Sequence, residues 1–60
     1  MNLPDDPHVL LSYINTLLRN RNKTLESLCE EFDIPLNEIM SRLLAIGYVY
    51  NAQARQFQLK

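Results

Sequence analysis

Apolar residues recur at three- and four-residue steps in three successive stretches of the chain, and near its end they switch to every second position. Leu10, Tyr13, Ile14, Leu17 and Leu18 define the first stretch, with Ser12, Asn15, Thr16 and Arg19 on the opposite face. That period predicts an amphipathic helix over residues 7–20, preceded by an extended lead-in over residues 1–6. Asp6 is placed to cap it and Pro7 occupies its first position, where a missing N–H loses no bond. Arg19 and Arg21 suit the negative end of its dipole. A polar break over residues 20–23 follows. Thr24 is then a good N-cap for a second helix over residues 24–33, with Leu25, Leu28, Cys29 and Phe32 inward and Glu26, Glu30, Glu31 and Asp33 outward. Pro35 disfavours a helical conformation at Ile34, so a turn of about three residues separates this helix from a third, over residues 35–46. Its inward set is Leu36, Ile39, Met40, Leu43 and one of Leu44 or Ile46. Asn37, Glu38, Ser41, Arg42 and Ala45 are expected outward. Gly47, the only glycine, follows where a left-handed C-cap is easiest.

Residues 48–59 read as a hairpin. Phe57 and Leu59 alternate with Gln56 and Gln58, the pattern of a half-buried edge strand. Tyr48 and Tyr50 share a face opposite Val49, and the tyrosines are expected over the core with Phe57. The connection Ala52-Gln53-Ala54-Arg55 contains no glycine, so a loop of four or five residues is expected rather than a two-residue turn. A two-stranded hairpin is not stable alone and must pack on the helices. The predicted architecture is a single domain, residues 1–60. It is mainly α: a three-helix bundle of helix-turn-helix type with a C-terminal two-stranded β-hairpin, a winged-helix-like arrangement. The run from Phe32 to Tyr50 is its organising stretch.

Size and charge narrow the use of such a domain. Sixty residues bury only ~60% of their unfolded surface, which leaves a folding margin of about 3–5 kcal/mol, and self-association would strengthen it. Six Lys and Arg face seven Asp and Glu, a net charge of −1. The global basicity of most nucleic-acid-binding modules is therefore missing, although Arg19, Arg21 and Lys23 form a local basic cluster. The single cysteine, Cys29, lies within an apolar pattern and reads as an inert buried thiol in a reducing compartment. No apolar run approaches the ~20 residues needed to span a bilayer, and the acidic N-terminus is not a secretory signal. A cytoplasmic location and no membrane partner are expected.

Chemistry is sparse. One histidine, His8, falls in the first turn of a helix, and no Cys/His cluster offers the three or four ligands of a metal site. Glu30 and Glu31 diverge by ~100° on a helix and would not share a site. No enzyme activity, cofactor, metal or small-molecule substrate is expected. Two binding uses fit the fold. In the first, the third helix reads duplex DNA through Asn37, Ser41 and Arg42, with Arg55 at the wing on phosphate; Glu38 on that face opposes it. In the second, Tyr48, Tyr50 and Phe57 with the unpaired strand edge form a protein-interaction or homodimer surface.

The run from Glu38 to Val49, in which a leucine-ended helix meets Gly47 and passes at once into a strand, resembles many winged-helix DNA-binding domains, a group that also includes protein-interaction modules. Across nearly the whole chain, the opening Met1-Asn2-Leu3-Pro4-Asp5-Asp6-Pro7, the run Leu10-Leu11-Ser12 leading to Asn15-Thr16, and the ending Ile46-Gly47-Tyr48-Val49-Tyr50 resemble a family of short bacterial proteins of unknown function. The resemblance implies a bacterial stand-alone domain and no particular activity. In that family an acidic N-cap commonly opens the third helix; Pro35 stands there in this chain.

Overall fold

A computed structural model describes residues 3–60. The chain forms α1 (Pro7–Arg21), α2 (Leu25–Phe32), α3 (Leu36–Leu44), β1 (Tyr48–Asn51) and β2 (Gln56–Leu59). This is the helix-turn-helix bundle with a C-terminal hairpin that the hydrophobic pattern predicts.

Local chemistry accounts for the breaks between elements. Asp6 caps α1, its Oδ1 accepting from the His8 N–H at 2.8 Å. Asn22 ends that helix in the left-handed region at φ 53°, a conformation Asn tolerates better than most residues. The Thr24 hydroxyl accepts from the Ser27 N–H and opens α2, and Asp33 closes it at φ 55°. No side chain caps α3, which starts after Pro35. Gly47, at φ 85°, then turns the chain into β1.

The core is one cluster. Leu10, Ile14 and Leu18 of α1 meet Leu25, Leu28 and Cys29 of α2, Ile34 of the turn, Ile39 and Leu43 of α3, and Phe57 of β2. Tyr48 and Tyr50 pack against it from β1, half-buried, as the alternation of that strand implies. The strands pair antiparallel, Tyr48 opposite Leu59 and Tyr50 opposite Phe57, around the four-residue loop Ala52–Arg55. Asn51 organises that loop through its Oδ1, which accepts from the Gln53 and Ala54 N–H groups.

The structure corrects two inward–outward assignments. Met40 and Leu44, read as inward or as a candidate for it, are 44% and 50% exposed, and Ile46 is the half-buried partner of Leu36, Ile39 and Leu43. The two-stranded hairpin is too narrow to cover Met40 and Leu44, which lie one residue round the helix from the buried pair Ile39 and Leu43. Asn15, read as solvent-facing, is half-buried against β2. Its Oδ1 accepts from the Phe57 N–H at 2.8 Å and its Nδ2 donates to the Phe57 carbonyl at 3.1 Å. A strand crossing a helix must satisfy its outward backbone groups, and one side-chain amide carries the donor and the acceptor that Phe57 needs. Gln56 Nε2 adds a bond to the Asn15 carbonyl. A further tie runs from the hairpin to α2, where the Tyr50 hydroxyl accepts from the otherwise orphaned Leu25 N–H at 3.3 Å.

Candidate functional site

The surface in question is the outer face of α3 and the hairpin beside it. Asn37, Met40, Ser41 and Leu44 line one wall of a groove, and Tyr48, Val49, Tyr50 and Phe57 line the other. The groove is open to solvent, has a volume of about 320 Å³, and is lined by no charged side chain. Phe57 is its buried floor, with the Tyr50 ring tilted against it at 56° and 5.5 Å between centroids.

The four residues expected to touch nucleic acid separate. Asn37 and Ser41 are exposed and belong to the groove. Arg42 leaves it: its guanidinium donates to the Pro4 carbonyl and, at 2.7 Å, to the Asp5 carbonyl, and so clasps the lead-in before α1. Arg55 reaches the opposite end of the same helix, where Nη1 donates to Asn22 Oδ1 at 2.6 Å. Fifteen helical residues lie between the two anchor points, a rise of roughly 22 Å. The three residues expected at a protein interface, Tyr48, Tyr50 and Phe57, come together on the hairpin.

The remaining cations are mostly engaged. Lys23 Nζ lies 2.8 Å from Glu31 Oε1, and Arg21 lies 4.0 Å from Oε2 of the same carboxylate while stacking 5.1 Å from the Phe32 ring centroid. The Lys23 hydrogen bond, helped by the charges of Lys23 and Arg21, holds the Glu31 carboxyl below its usual range. Among the described residues, Arg19 and Lys60 are the cationic side chains with no such contact. Burial, with a smaller push from Glu26, raises the Cys29 thiol above its ordinary value, so it stays protonated at neutral pH and makes a poor nucleophile. No group of three or more His, Cys, Asp or Glu among the described residues is arranged to hold a metal. Likewise, no helix among them is long and apolar enough to cross a membrane.

Sequence reasoning gave Asn37 and Ser41 to a nucleic-acid face and the hairpin aromatics to a separate protein surface; the fold brings both sets into one groove, together with Met40 and Leu44, which that reasoning missed. The i, i+4 spacing that made them look like core also makes them adjacent on the exposed wall.

A short α2, a tight turn, α3, and a hairpin entered directly through Gly47 define a winged-helix-like helix-turn-helix domain, a fold often used for binding. Within that class, residues 4–57 match the family model described as Domain of unknown function (DUF4250). The match covers most of the chain, which belongs to that family. Searches of curated proteins and of solved structures give no match.

Proposed function

We propose that this domain is a non-enzymatic protein-interaction module that receives its partner in the groove between α3 and β1. One observation carries the reading: the wall of α3 that faces solvent holds two large apolar side chains, Met40 and Leu44, exposed beside the uncharged Asn37 and Ser41 above an aromatic floor. Reading of base edges calls for polar side chains with basic neighbours on phosphate. Arg42 and Arg55 are bonded elsewhere, at opposite ends of α1, and Glu38 is exposed on α3. Aromatic residues and methionine, by contrast, are enriched where proteins meet, and charges are depleted there.

A photo-crosslinking amino acid placed at Leu44, with Glu30 on α2 as the control position, tests this in the cells that make the protein. Protease-sensitive adducts from position 44 and none from position 30 are expected. Nuclease-sensitive adducts from position 44 would transfer the groove to nucleic acid, and no adduct at all would refute a docking role.

A further inference from the structure

We propose that the groove is filled by a second copy of this chain, whose β1 pairs antiparallel with β1 of the first about a two-fold axis through Val49. This rests on the protein-interaction reading and adds the partner and its geometry.

The register of the hairpin shows which backbone groups are free. Phe57 turns its N–H and C=O away from β1, since both are bonded to Asn15, and the Lys60 N–H closes the far end of the ladder on the Gly47 carbonyl at 2.8 Å. Opposed residues in an antiparallel pair either both exchange bonds or both face outward. Tyr50, opposite Phe57, and Tyr48, opposite Leu59, therefore turn their N–H and C=O outward on the free side of β1. Among the described residues no backbone bond beyond the hairpin reaches them. The residues of this free edge, Tyr48, Val49 and Tyr50, line the groove together with the uncovered Met40 and Leu44.

Side chains do not protect the edge. Monomeric proteins blunt an edge strand by keeping it short or with lysine, proline, a bulge or an inward charge; the four-residue Tyr48-Val49-Tyr50-Asn51 is short but has none of the others. With Val49 facing its own counterpart, Tyr48 of each copy stands opposite Tyr50 of the other. All outward donors and acceptors of the two tyrosines are then paired, and the contact is self-complementary as a two-fold interface must be. No charged residue lines the groove, so two copies meet there without opposing like charges. The added strand occupies the place the narrow hairpin leaves empty. It covers Met40, Leu44 and Val49, the last 37% exposed in the single chain.

The closing experiment is a charge-swap at the axis. Sedimentation equilibrium at micromolar concentration should give a dimer for the unaltered chain, with slow hydrogen exchange at the Tyr48 and Tyr50 amides. Val49→Lys and Val49→Glu each place like charges about 4.5 Å apart between Cα positions and should each weaken the dimer at least ~10-fold. An equimolar mixture of the two should restore it, which a variant that failed to fold would not do. A monomer at every attainable concentration, or a dimer indifferent to both substitutions, would overturn the proposal. Should the chain be monomeric while position 44 still crosslinks to other proteins, the interaction module stands and only the second copy falls.

Discussion

Replacing Asn15 with alanine removes both side-chain bonds from α1 to Phe57 of β2, leaves the Gln56 bond to the Asn15 carbonyl, and does not touch the apolar core. An intramolecular hydrogen bond contributes about 0.5–1.5 kcal/mol net, and a buried backbone group left without a partner costs about 1–3 kcal/mol. Phe57 loses a donor's partner and an acceptor's partner together, but at a half-buried position that water reaches in part. A destabilisation of about 2 kcal/mol follows. Against a margin of about 3–5 kcal/mol this is a large fraction, and it should lower Tm by roughly 10–15 °C. Urea melts followed by circular dichroism measure it, with Asn20→Ala on the exposed side of α1 as the comparison. Amide exchange should show the Phe57 N–H losing protection before the helices do. Asn15→Asp sharpens the reasoning, because a carboxylate still accepts from the Phe57 N–H but opposes the Phe57 carbonyl with no donor. That variant should be less stable than Asn15→Ala at neutral pH and recover as acid protonates the side chain. If Asn15→Ala stays within about 0.5 kcal/mol of the unaltered protein, the range of ordinary surface changes, the clamp is not what holds the hairpin.

Three further outcomes are expected. Cys29 should react with a thiol reagent at neutral pH only as fast as the domain unfolds; since burial raises its pKa, its contribution to stability is complete below the unfolded thiol's pKa and is lost as pH rises through the folded value. Gly47→Ala should cost about 1–2 kcal/mol in a chemical melt, the penalty for a Cβ in a left-handed conformation, with no added clash because nothing lies within 4 Å of where that Cβ would stand. Arg42→Ala should free the lead-in, read as faster amide exchange in the first turn of α1, and should leave crosslinking through position 44 unchanged; a loss of crosslinking there would put Arg42 in the docking surface after all.

The elements were legible in the sequence because their signals are local. Asp6 with Pro7, Thr24, Pro35 and Gly47 act within a few residues of themselves, and the alternation from Gln56 to Leu59 needs no partner to be read. The candidate surface was legible only in part, since it depends on where distant segments come to rest. Asn15 lies on a boundary stripe with Leu11 and Leu18, at i, i+4 and i+7, and only the passage of β2 makes its amide useful. Arg42 has a spacing suited to a reading face, and the placement of Pro4 and Asp5 removes it. Met40 and Leu44 carry the periodicity of core residues, and the width of the sheet decides whether they are covered.

That same amide has a bearing on how far assembly can go. By occupying the outward groups of Phe57, Asn15 closes the middle of β2 against α1 and, in the proposed dimer, leaves β1 as the edge that takes a strand. In that dimer, strand addition stops after a single step and association closes as a pair. Losing the amide frees the Phe57 groups; were the Gln56 bond and the packing of β2 on α1 to yield as well, a second edge would open, and units with two open edges can add to one another end over end, as in a fibre. In the proposed dimer, the residue that ties the wing to the first helix is thus also a terminator of the sheet.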